Sequence, residues 1–317
     1  MKSVIILCIL FSYLFSSEPI LEPIQSFNVS GGVLDIVYTK KYLYIATTNS
    51  SVDIVDRETL TCFYCVKVDK VKNFLGEMVD AKVYSVDILD NKLLLLSQAS
   101  QGYRQVSIVE NNITTKIISA KDALSIAKAK FLDANTLVFA TLGSEIISYN
   151  IKEKRKLWTV QASGARFSDF VLNEKKDEIV VADESGNLKI IRSSDGKILE
   201  VLEAENLDNV FQVDYKNSII ATAGKDRRVV VYNQKNKSAY YKTSSFFIYS
   251  VGLSPSAKYV AYSSDEANSV TLFNRATKKT IALLKGNKMR ISNIVFLNEK
   301  TLLIASDNEI INLYQIK

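Results

Sequence analysis

Short runs of alternating apolar and polar residues, each bounded by a polar turn, recur along almost the whole chain. The clearest set lies within Asn209–Asn233. It reads Asn-Val-Phe-Gln-Val-Asp-Tyr, a turn at Lys216–Ser218, Ile-Ile-Ala-Thr-Ala-Gly, then Lys-Asp-Arg-Arg and Val-Val-Val-Tyr-Asn. β-Branched and aromatic residues dominate the runs and the gaps are too short for helices, so the segment predicts three strands of an antiparallel meander. Six other segments repeat the plan, at 33–56, 84–109, 129–150, 167–192, 249–274 and 291–314. Equivalent positions in their second strands are Ala46, Leu96, Ala140, Ala182, Ala221, Ala261 and Ala305, spaced by 50, 44, 42, 39, 40 and 44 residues. A period near 40–45 residues with four strands per unit predicts the blades of a β-propeller. Seven blades are counted, with six and eight as the neighbouring counts. A small residue in the second strand fits a position close to a crowded hub.

The fold class predicted is therefore all-β, a single propeller over residues 18–317. Two departures from the period carry information. The wide spacing after the first repeat places an insertion within Val66–Lys82, where lysines mix with Val71, Phe74, Leu75 and Met78. The seventh repeat has three strands, and Ile20–Val29 forms a lone strand with Ile24 and Phe27 as its strongest apolar positions. That strand is expected to complete the last blade and close the ring, which would remove two exposed sheet edges.

At the ends of the third strands the chain resembles the WD40-like β-propeller family. The place of that family's Trp-Asp dipeptide is taken by Val55-Asp56, Tyr149-Asn150, Tyr232-Asn233, Phe273-Asn274 and Tyr314-Gln315, and its Gly-His dipeptide is absent. Ser254-Pro255 and Ala223-Gly224-Lys225-Asp226 look like WD-type turns. The resemblance covers nearly the whole chain and implies an architecture rather than an activity, since propellers host many functions.

Composition narrows the chemistry. The 317 residues include no histidine, which excludes Ser-His-Asp and Cys-His nucleophile systems and histidine-dependent zinc sites. The formal charge of +6 is spread along the chain, so nucleic acid is not an expected partner. Lys2, the apolar run from Val4 to Phe15 and Ser16-Ser17 fit a secretory signal peptide over residues 1–17, cleaved near Ser17. The run is too short for a permanent membrane span. Cys8 is a poor lipid-attachment site, because Leu7 precedes it where a small residue is expected. An exported, periplasmic protein is the expectation.

Several residue sets are candidates for sites. Tyr84, Lys128, Arg166, Phe211, Tyr249 and Arg290 lie just before or at the start of the first strands, which places them on one propeller face. Tyrosine and arginine there suit a protein interface, and ordinary rim surface is the alternative. Cys62 and Cys65 form the one spaced cysteine pair, a possible disulfide or redox site, yet residues three apart on a regular strand point to opposite faces. Asp35, Asp87, Asp169 and Asp214 recur in first strands. They are expected to bond turn backbone rather than to form a ligand ring. Asp183-Glu184-Ser185-Gly186-Asn187 lacks the full ligand series of a calcium loop and reads as a β-turn. Trp158 is expected to pack between sheets.

No cofactor and no metal are expected, and the leading functional expectation is a non-catalytic exported scaffold, monomeric by itself, that binds another periplasmic protein. The whole pattern is similar to the accessory propellers of periplasmic nitrate reductase systems, which implies respiratory nitrate reductase components as partners. An outer-membrane assembly scaffold and a metal-dependent propeller enzyme are the alternatives.

Overall fold

The computed structural model describes residues 18–73 and 75–316, so the expected signal peptide and Phe74 lie outside the described residues. The alternating runs form seven antiparallel sheets arranged as one propeller. Its inner strands are Val33–Tyr38, Val83–Leu89, Ile126–Phe131, Phe167–Leu172, Val210–Lys216, Val251–Leu253 and Ile291–Phe296. In every blade the following strands pair outward in chain order.

Apolar burial explains why the sheets assemble in a ring. Each blade has two faces, and neither can stay in water without cost. The buried apolar side chains fall into seven clusters, one at each junction between neighbouring blades. All seven second-strand positions named from the period are fully buried. They sit one strand away from the channel, so close packing of blade on blade, rather than the hub itself, keeps six of the seven as alanine, with Leu96 of blade two as the exception. Blade six takes this furthest. A Cβ added at Gly252 on its inner strand would lie 2.5 Å from the Ile294 carbonyl oxygen of blade seven.

The dipeptides at the ends of the third strands divide their labour. Tyr149, Tyr232, Phe273 and Tyr314 are buried. The polar partner closes the next turn: Asp56 Oδ1 accepts from Glu58 N and Thr59 N, each at 3.0 Å, and Asn274 Oδ1 does the same for Ala276 N and Thr277 N. Trp158 packs at the junction of blades three and four and donates to the Ser193 carbonyl at 3.0 Å.

Ring closure follows the expected route with one correction. Ile20–Val29 is two strands, not one. Ile20–Leu21 pairs in parallel with the outer strand Thr280–Leu284 of blade six, and Gln25–Asn28 pairs antiparallel with Ile310–Gln315 as the fourth strand of blade seven. Pro23, with no N–H and a fixed φ, falls between them. Its ring packs so near Gly286 (φ +95°) that a Cβ there would meet Pro23 at 2.9 Å. Phe27 is buried as expected, whereas Ile24 is 61% exposed. The insertion after blade one holds a small hairpin, Val71–Lys72 with Met78–Val79.

Six of the seven inner strands carry a register irregularity near their start, one extra residue opposite the second strand. Tyr84 and Phe211 occupy that extra position, where a bulge frees a side chain from the regular alternation.

Candidate functional site

Inner strands have a ladder partner on one side only, so their other backbone N–H groups need acceptors. Side chains from the neighbouring inner strand supply several. Asp35 Oδ2 accepts from Val86 N at 3.0 Å and Asp87 Oδ2 from Phe131 N at 2.8 Å. Asp169 Oδ2 accepts from Val213 N at 3.1 Å and Asp214 Oδ2 from Leu253 N at 2.8 Å. Gln212 Oε1 does the same for Val251 N at 3.0 Å. The four aspartates are thus structural, but they stitch one blade to the next instead of bonding turn backbone.

Lysines pair with three of the four aspartates, Asp35, Asp169 and Asp214. Lys130 Nζ lies 2.9 Å from Asp35 Oδ2 and also donates to the Val86 carbonyl, while Lys128 Nζ lies 2.6 Å from Asp169 Oδ1. Burial alone would raise the Asp35 pKa, but Lys130, Lys128 and the Val86 N–H together hold it below the usual carboxylate value. The same residues line a cavity of about 540 Å³ that reaches the connections between first and second strands at Asn173, Glu174 and Lys176. Among the described residues, no group of three or more His, Cys, Asp or Glu side chains is placed to hold a metal ion. At the Asp183–Asn187 turn the internal cation is Lys189, whose ammonium bonds Asp183 Oδ2, Ser185 Oγ and the Asn187 carbonyl.

The face where each outer strand hands over to the next inner strand carries the other candidate residues, in two groups. On blades five to seven the Phe211 and Tyr249 rings stack with centroids 5.3 Å apart, and Phe246 and Phe247 pack against Tyr249 at 6.2 and 6.3 Å. The Arg290 guanidinium lies 5.2 Å from the Tyr249 ring and is held by a two-pronged pair with Asp307, at 2.8 and 3.2 Å. Met289 beside it is 46% exposed. The second group is cationic. Arg104 lies 3.8 Å from the Tyr84 ring centroid and donates to the Ile126 carbonyl at 2.7 Å, and burial lowers its pKa, with Arg166 nearby as a like charge. Arg166 is exposed and forms no ion pair among the described residues.

Of the six face residues expected from sequence, the structure brings Phe211, Tyr249 and Arg290 into one patch and sets Tyr84 and Arg166 on the opposite side of the same face. Lys128 is corrected: it lies past the bulge, with its ammonium paired to Asp169 in the channel lining. Phe246 and Phe247 escaped the sequence reading, although two adjacent phenylalanines in a polar connection were a visible signal. Cys62 and Cys65 are corrected in their geometry. A register shift between Ile54 and Val55 leaves Phe63 as an extra residue, which removes the opposition expected for a regular strand. The two sulfurs lie 3.6 Å apart.

With seven blades, an N-terminal strand completing the last one and turns closed at the Trp-Asp positions, the fold is that of a WD40-like seven-bladed β-propeller. A solved structure with this fold is the crystal structure of the Cps50 (Swd1) β-propeller domain of Myceliophteria thermophila. The TM-score is 0.73 and the identity 12%, over 93% of this chain and 99% of that one. As many as 1809 solved chains match this one, so the likeness defines the fold and leaves the activity open. No family model and no curated protein matches the sequence.

Proposed function

We propose that this chain is a non-catalytic interaction scaffold that docks another protein on the handover face of blades five to seven. The observation that carries this reading is the patch of Phe211, Phe246, Phe247, Tyr249 and Arg290: large half-buried rings beside a held guanidinium. Aromatic and arginine side chains on a rigid support lose little conformational freedom on binding and dominate binding energy at protein interfaces. The apparatus that would serve catalysis elsewhere is engaged structurally here, since the channel carboxylates bond backbone N–H groups and lysines.

The compartment we propose is the periplasm, on the strength of the signal-like Lys2 and Val4–Phe15 run. Within it we propose respiratory nitrate reductase components as partners. The overall pattern resembles the NapL type of accessory propeller: a leader, a lone propeller of this length and no histidine. The test is affinity purification of a C-terminally tagged chain from the periplasm of cells grown with and without nitrate, alongside the Tyr249→Ala/Arg290→Ala variant. The expected result is recovery of nitrate reductase subunits by the parent and at least about a 30-fold weaker interaction for the variant, the scale of losing one anchor residue. Recovery of outer-membrane assembly components instead would replace the proposed partner. Equal recovery by both forms would refute the docking face.

A further inference from the structure

The outer strand of blade one, Cys62–Lys67, is an exposed sheet edge with an interrupted ladder. Tyr64 pairs with Ile54 and Cys62 with Val55, so Phe63 has no partner and the strand is one residue longer than its neighbour there. A bulge of this kind shifts the side-chain alternation by one. Cys62 and Cys65 come together as a result, with Sγ to Sγ at 3.6 Å. The pair is asymmetric. Cys62 is exposed, whereas Cys65 is half-buried opposite the buried Asp53. The Phe63 ring, 65% exposed, stacks on Tyr42 of the second strand at 4.9 Å, which pins the bulge from outside.

We propose that Cys62 and Cys65 close a disulfide across this bulge by exchange with a small-molecule or protein disulfide, and that the bond staples the free edge of blade one. The reaction balances as an exchange. The exposed Cys62, as thiolate, attacks one sulfur of the incoming disulfide, forming a mixed disulfide and releasing one thiolate. Cys65 then gives up its proton and attacks the Cys62 sulfur, and the second thiolate leaves. The chain loses two electrons and two protons, and the reagent leaves as two thiols.

The surroundings favour a lasting bond over a catalytic one. Burial, then Cys62 and Asp53, push the Cys65 thiol up to about 12. The part due to burial and Asp53 persists when Cys62 is held in a mixed disulfide, and a raised pKa makes Cys65 a poorer leaving group, which slows reopening by an external thiol at the exposed Cys62. Two thiols without a third ligand make an incomplete metal site, and among the described residues no group of three metal-ligating side chains is found. An edge strand gains from such a staple, because its unpaired backbone groups are an aggregation template.

Peptide mapping of the native full chain equilibrated with oxidised and reduced glutathione tests the idea directly. Cleavage after Arg57 and Lys67 puts both cysteines on one peptide, Glu58–Lys67, and leaves Cys8 on another. The expected result is a Glu58–Lys67 peptide lighter by about 2 Da, the two hydrogens lost in forming S–S, and refractory to alkylation until reduced. Closure should also need at least about tenfold less oxidised glutathione in native buffer than in denaturant, because the fold holds the sulfurs together. The thermal midpoint should rise on oxidation in the parent and stay unchanged in Cys62→Ser/Cys65→Ser. Two alkylatable thiols at equilibrium with excess oxidant, or a glutathione adduct on Cys62 with Cys65 free, would overturn the proposal. So would equal closure in native buffer and denaturant.

Discussion

Asp35 shows how much a single side chain carries in a ring. It belongs to blade one, accepts the Val86 N–H of blade two and holds the Lys130 ammonium of blade three. Asp35→Ala would strand that ammonium in the channel wall, and removing one partner of a buried pair costs about 3–5 kcal/mol. A urea melt should show that loss, while Asp35→Asn combined with Lys130→Met should recover most of it. The pH dependence has a definite sign. Because the folded carboxyl ionises below its ordinary value, its stabilisation is complete above about pH 3.9, the unfolded value, and is lost as pH falls through the folded value. The urea midpoint of the parent should therefore drop more steeply below pH 4 than that of Asp35→Asn. Parallel curves would mean that the pair adds nothing. The recurrence of Asp35, Asp87, Asp169 and Asp214 was legible in the sequence. Their acceptor role was not, because each donor lies 39–51 residues away in the next blade.

Among the elements, the blades were legible and the irregularities were not. Alternation and turn residues repeat in every blade and a buried alanine in six of the seven, so local pattern and global fold agree. The bulges at Phe63 and Ala127 leave the alternation of residue types almost unchanged while re-aiming side chains, so neither the Cys62–Cys65 pair nor the place of Lys128 follows from the sequence. The closing strand Gln25–Asn28 makes the clearest element-scale prediction. Phe27 is buried at the junction of blades seven and one, so Phe27→Ala should cost about 3–5 kcal/mol. It should also raise light scattering before the main thermal transition, as the edge of blade seven opens. Gly252→Ala, by contrast, should lower the midpoint without early scattering. It forces blades six and seven apart through a backbone contact, at about 1–3 kcal/mol.

At the scale of the whole molecule, a load-carrying interior lies beneath the proposed docking face. Inner strands, channel charges and seven apolar junctions make a rigid disc. The aromatic and arginine side chains gather on one side of it, from connections far apart in sequence. A partner docked there meets Phe211 of blade five, Tyr249 of blade six and Arg290 of blade seven together, a grouping that sequence spacing alone does not reveal. The most direct measurement is photo-crosslinking in cells, in the proposed periplasmic compartment, from two exposed positions, Ser245 beside the aromatic patch and Lys175 in a connection between first and second strands. Crosslinks to a nitrate reductase component from position 245, with none from 175, are the predicted result. Crosslinks from 175 alone, or equally from both, would contradict the assignment of the working face.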